Sequence, residues 1–393
     1  RKMAKSMEIM KDEIAAQAKV FELCGPDILK QVAGIFDKTD LGSKIDRVYI
    51  TGCGDSFFAG LACRDLFVKY AKVHVEVYQA IEFSRYVCPN EVDEKAVVLS
   101  ISSSGMVART VECALRAKEK NAFSIGVTRN PESKLAKTAS EKIVVEIPDV
   151  VGVAPGTQSY IASMLAIISF AVALGKERGV LDDEGAEAVF DYIHDLGDAM
   201  AATVESNFDL VRKYVEAYTQ EENPNRIKIF HILGSGPNWG TAQFGTMKLL
   251  EASGFDSVPQ GIEEWAHSQY FTTKPGTHVV VLAPKGCSRD RALEILQAVS
   301  VMDGKKIVIG EENDDQLARA ADIFLPISGM VNIKEEFSQL IYPIPLELLA
   351  MHLSDALGIV PFEFESKPWR KQENFRQIFE SEIVPLKQNN GDE

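Results

Sequence analysis

The chain has 393 residues, 46% of them hydrophobic and 25% charged, and a formal net charge of -15. These proportions describe an ordinary globular protein long enough for two domains. The acidity argues against nucleic acid as a partner, because its phosphates demand basic patches. No apolar stretch reaches the roughly 18 to 20 residues of a membrane span.

Residues 1–35 open with RKMAKSMEIMKDEIAAQ, charged and helical in pattern, unlike a signal peptide. The initial Arg1 ahead of Met3 suggests a trimmed start. Four apolar runs follow within a first domain expected over 36–180: DRVYITGCG, KAVVLSISSSG, FSIGVTRN and EKIVVEIP. Each ends in small or polar residues. Helical patterns such as SFFAGLACRDLFVKYA and VARTVECALRAKEKNA separate the first three. The run from Ile161 to Leu174 reads as a buried helix, too short for a span.

Asp182 to Ala217, rich in Ala, Glu and Asp, reads as a helical connector within 181–222, and Asn223-Pro224-Asn225 opens a second domain over 223–358. That domain brings IKIFHILGSG, THVVVLAPKG, KKIVIGEEN and ADIFLPIS. Gly52 to Gly234 is 182 positions, and so is Val97 to Val279. Equal spacing points to a duplicated domain. Continuous Val and Ile strands alternating with helices predict an α/β fold: two doubly wound, flavodoxin-like parallel sheets with helices on both faces and ligands beyond the strands' carboxyl ends. LLAMHLSDALG reads as a helix stopped near Gly358, with His352 a core or interface residue, and 359–393 as a tail. Six cysteines, at positions 24, 53, 63, 88, 113 and 287, contain no C-x-x-C pair and fit reduced thiols in a cytoplasmic protein.

Two strand ends carry the chemistry. Gly52-Cys53-Gly54-Asp55-Ser56 lacks the third glycine of a dinucleotide fingerprint, because Phe57 stands there. Ser102-Ser103-Ser104-Gly105 places hydroxyls before a helix; a serine-rich cap explains that by itself. Paired with Gly54-Asp55-Ser56 on the adjacent strand, it converges on one anion pocket. In the second half, Lys248 and Glu251 share a helix face, either as an exposed ion pair or as an ammonium and a carboxylate in one cleft.

VYITGCGDS and SISSSG resemble the phosphosugar loops of the sugar isomerase (SIS) domain family. The likeness is greatest to the isomerase half of glutamine:fructose-6-phosphate amidotransferases and covers roughly residues 5 to 365. The resemblance implies that Cys53, Gly54, Asp55, Ser56, Ser102, Ser103 and Ser104 cradle a sugar phosphate. It implies that Ala154 and Thr157, in GVAPGTQSY with its Pro-Gly insertion, meet the sugar. Met106-Val107 replaces the family's Glu-Thr, so Val107 stands where a phosphate-facing hydroxyl is lost.

The family also has Lys and Glu at the spacing of Lys248 and Glu251, with a His 16 residues later, here His267. The resemblance thus makes Glu251 the base for proton transfer between C1 and C2, Lys248 a stabiliser of the enolate oxygen, and His267 the ring-opening group. For the family's Schiff-base lysine, Lys367 is nearest in register, about two residues short, and Lys371 next. No glutaminase-like segment is found. The expectation is a phosphosugar isomerase or deaminase acting on an amino or N-substituted sugar 6-phosphate. The alternatives are a fructosamine-6-phosphate deglycase and a non-catalytic phosphosugar-binding regulator. No cofactor or metal is implied, nor a nucleic-acid or membrane partner. In similar enzymes the histidine enters the neighbouring subunit's site, which implies a homodimer with shared sites.

Overall fold

The computed structural model describes residues 2–148, 154–362 and 381–383. Two helices, Lys2–Ala16 (α1) and Val20–Asp37 (α2), precede the first sheet. Its strands are Arg47–Gly52 (β1), His74–Gln79 (β2), Ala96–Ile101 (β3), Phe123–Thr128 (β4) and Glu141–Val144 (β5). They are parallel throughout, in the order β2-β1-β3-β4-β5. The helix Asp55–Leu66 (α3) follows β1 and Ala108–Glu119 (α4) follows β3. All six residues of β3 are buried, as its unbroken AVVLSI requires of a central strand covered on both faces.

Gln158–Glu177 (α5) and the 36-residue Asp183–Tyr218 (α6) lead to the second sheet. Asp182 starts α6 by accepting from the Gly185 amide at 2.8 Å. The second sheet comprises Ile229–Gly234 (β6), Ser257–Gly261 (β7), Thr277–Leu282 (β8), Lys305–Glu311 (β9) and Ile323–Ile327 (β10). Its order, β10-β9-β8-β6-β7, repeats that of the first. Pro237–Ser253 (α7) follows β6, and Pro343–Ala356 (α8) closes the described helical core. The likeness of the two sheets reaches individual torsion angles: Gly54 has φ 55° and ψ -130°, Gly236 φ 56° and ψ -132°. Only glycine tolerates that backbone region, so both strand-to-helix turns need it.

Three expectations change. β2 and β7 were not among the apolar runs: β2 alternates His, Glu and Tyr with Val on a sheet edge, and β7 contains Pro259 with every residue half-buried. An edge strand tolerates a proline that a central one does not. Val258-Pro259-Gln260-Gly261, which reads as a turn, is therefore strand, with Val258 opposite His231 and Gly261 opposite Gly234. Third, the apolar run from Ile161 lies in a 20-residue helix long and apolar enough to cross a membrane, but 89% of its most apolar window is buried inside the protein. Phe170 stacks on Phe36 of α2 at 5.2 Å, as a core helix does. Of the six free cysteines, Cys24, Cys63, Cys88 and Cys113 are buried as their neighbours suggest, whereas Cys53 and Cys287 are exposed.

Candidate functional site

The first sheet reverses its strand order between β1 and β3, where α/β folds bind ligands beyond the strand ends. Gly52 lies opposite Ile101, so the loops after both strands start side by side. They line one cavity of about 380 Å³ with Cys53, Gly54, Asp55, Ser56, Ile101, Ser102, Ser103, Ser104, Val107 and Thr110. Met247 and Glu251 of α7 complete its wall, so both repeats contribute.

The serine loop is set for an anion. Ser102 Oγ accepts from the Gly105 amide and Ser104 Oγ from the Met106 amide, each at 3.2 Å. An oxygen occupied in this way keeps its own O–H to donate. Gly105 has φ +65°, and a Cβ there would come within 2.1 Å of Ser133 Oγ. The cavity also lies at the first turns of α3 and α4, whose amides carry partial positive charge. No Lys or Arg lines it among the described residues.

Lys248 stands beneath the wall, 1% exposed, with Nζ 2.7 Å from Asp55 Oδ2 and 2.5 Å from Glu251 Oε2. It thus ties the Gly54-Asp55-Ser56 turn of the first half to a carboxylate of the second half. Burial opposes its positive charge, but Asp55 and Glu251 together outweigh that and hold its pKa above the usual lysine value. Burial pushes the Glu251 carboxyl up, against Lys248 and reinforced by Asp55. Met247 and Glu251, one helical turn apart, share the face that meets the cavity. Lys248 is turned inward: the pair reaches one site, with only the carboxylate on its surface.

Asp55 lines the cavity, yet its Oδ2 is committed to Lys248, so it anchors the wall where the resemblance made it a phosphate contact. Ala154 packs half-buried against the core, and Thr157 is wholly buried with Oγ1 donating to the Glu13 carbonyl at 3.1 Å. Neither is in the cavity lining. His267 is 65% exposed and bonds Glu263 at 3.1 Å, away from the cavity wall of its own chain. His352 packs edge-on against Phe208 at 4.8 Å, as a core residue. Lys367 and Lys371 lie outside the described residues. The sequence reading missed Thr110, Met247 and Ile101. Helical periodicity held the signal for two of them: Thr110 is three positions past Val107, and Met247 four before Glu251.

Residues 43–173 match the SIS domain family. A glutamine–fructose-6-phosphate aminotransferase (isomerizing) of Thermus thermophilus is 30% identical over 317 residues, 80% of this chain and 50% of that protein. The chain thus spans about half the length of the curated relatives it matches. Among solved structures, the C-terminal domain of glucosamine-fructose-6-phosphate aminotransferase from Francisella tularensis superposes with a TM-score of 0.75 at 22% identity, covering 92% of this chain and 98% of that one. Glucosamine-6-phosphate deaminase from Thermotoga maritima gives 0.66 at 18%, covering 92% and 96%. At such identities these two likenesses concern the fold.

Proposed function

We propose that this SIS-domain chain is an enzyme that moves a proton between C1 and C2 of an amino or N-substituted sugar 6-phosphate, as an isomerase or deaminase. One observation carries the reading: the serine loops of the first repeat and Glu251 of the second line a single cavity. Its size suits a small ligand with one anionic end.

In this account the phosphate rests on Ser56, Ser102 and Ser104 and on the first-turn amides of α3 and α4. That fixes the sugar carbons near Glu251. Lys248 holds Glu251 Oε2, and Oε1, without a protein hydrogen bond among the described residues, takes the proton from carbon. A raised pKa brings the carboxylate's basicity closer to the task, since general bases work best near the ambient pH. The developing enolate is stabilised by nearby positive charge, which Lys248 supplies from beneath the wall. The ring-opening group is His267 of a second copy, because the chain's own His267 lies outside its cavity wall.

The relatives named for fructose-6-phosphate amination and the neighbour named as a deaminase support this class of substrate. A panel of aldose, ketose, amino-sugar and fructosamine 6-phosphates tests it. Release of ammonia marks a deaminase, release of an amino acid a deglycase, and interconversion without either an isomerase. Binding without turnover of any of them would replace the enzyme by a phosphosugar-binding regulator.

A further inference from the structure

Below the cavity wall lies a second polar layer that the catalytic reading leaves unused. Glu13 of α1, Gln17, Gln158 and Tyr160 of α5, and Glu347 of α8 are all more than nine-tenths buried. Gln17 Nε2 donates to Glu347 Oε2, and Glu13 accepts from Gln158 Nε2 and from the Thr157 amide. The Tyr160 ring stacks on Phe244 at 3.9 Å, and Lys248 Nζ sits 4.9 Å from the centre of that same Phe244 ring. The layer is therefore next to Lys248.

Its hydrogen bonds do not balance. Among the described residues, Glu347 Oε1, Gln17 Oε1, Gln158 Oε1 and Asp55 Oδ1 are buried acceptors without a protein partner, and the Tyr160 hydroxyl is the unpartnered donor beside them. Asp55 and Glu251 hold the one ammonium, Glu347 lies within its field, and Glu13 adds a fourth carboxyl group beside Glu347. A proton on a carboxyl group would add a donor and remove a buried charge at once.

We propose that Glu347 is held as a neutral carboxylic acid behind Lys248 and acts as a positioning residue, leaving the buried ammonium to Asp55 and Glu251. Burial pushes the Glu347 carboxyl up to about 8; the Gln17 hydrogen bond and Lys248 oppose this, and Glu13 and Asp55 add to it. The charged and titratable groups facing it are Glu13 from α1, Asp55 from α3, Tyr160 from α5 and Lys248 from α7. Helix α6 also packs on α8, but its Arg212 and Glu216 act on His352, further along. Once ionised, Glu347 competes with Glu251 for Lys248. This inference rests on Glu251 as the base only for its kinetic consequence.

The test has a spectroscopic arm and a kinetic arm. Wild-type protein at about pH 7 should show the infrared carbonyl absorption of a protonated carboxylic acid; it should persist in Glu251→Gln, vanish on titration past about pH 9 and be missing from Glu347→Gln. In deuterated water, exchange at C1 of fructose 6-phosphate or at C2 of glucosamine 6-phosphate should fall above about pH 8 in wild type, and Glu347→Gln should move that fall upward by at least about one pH unit at unchanged KM. Absence of the band in wild type, or an unmoved alkaline limb in Glu347→Gln, overturns the proposal. Should Glu347→Gln fail to fold, the wild-type and Glu251→Gln spectra still decide where the proton is. If neither sugar exchanges while the band behaves as described, the catalytic reading fails and the neutral acid stands.

Discussion

Replacing Lys248 by Met removes a cation that joins the two halves at the cavity, and the structure sets the size of the effect. Its Nζ lies 2.7 Å from Asp55 and 2.5 Å from Glu251. At an effective dielectric constant of about 20, each such pair is worth on the order of 6 kcal/mol before desolvation. Desolvation of a buried ammonium offsets several kcal/mol of this, so removing it while leaving its partners should cost about 3 to 5 kcal/mol. The cost should depend on pH with a definite sign. Glu251 without its counter-ion has a folded-state pKa raised further above the unfolded value of about 4.3, so the penalty is absent below that pH and grows as pH rises. Denaturant unfolding of wild type and variant at about pH 5, 7 and 8.5 should show the gap widening. Adding Glu251→Gln to Lys248→Met should recover roughly half of the loss at the highest pH, because one uncompensated charge is gone. A loss below about 1 kcal/mol that is the same at every pH would refute the buried-clamp account.

Ser104→Ala should weaken binding of a sugar 6-phosphate by about 1.5 to 3 kcal/mol, the cost of a hydrogen bond to a charged group, and titration calorimetry with phosphate as competitor measures it. Equal affinity for phosphorylated and unphosphorylated sugar would remove the phosphate assignment. Glu251→Gln and His267→Ala proteins should each be inactive alone. Co-expressed, they should regain roughly a quarter of wild-type activity, since about half of randomly paired dimers are mixed and each has one intact site of two. Verified mixed dimers that stay dead would return His267 to its own subunit or remove it from catalysis.

The α/β architecture of two parallel sheets was legible because central strands such as Ala96–Ile101 are buried on both faces and so read as unbroken apolar runs. His74–Gln79 and Ser257–Gly261 were not, since edge strands keep polar residues and even Pro259 without losing the sheet. The meeting of the serine loop with Gly54-Asp55-Ser56 followed from topology, as both loops leave adjacent parallel strands. What spacing could not give was depth. Lys248 and Glu251 share a helix, but which of them faces the cavity depends on the packing of α7, which also sets Lys248 over Phe244. Thr157 shows the same limit: its hydroxyl answers to Glu13, 144 positions earlier, a contact no local pattern records. The layer around Glu347 was equally hidden, because Glu347 meets Gln17 across 330 positions of sequence.

The most direct measurement is solvent deuterium incorporation at C1 of ketose 6-phosphates and C2 of aldose or amino-sugar 6-phosphates, followed by proton NMR with wild-type and Glu251→Gln protein. The account predicts exchange in wild type that falls by about two to four orders of magnitude in Glu251→Gln, as for loss of a general base, while sugar-phosphate binding survives. Exchange at the wild-type rate in Glu251→Gln, or exchange indifferent to the phosphate, would contradict it.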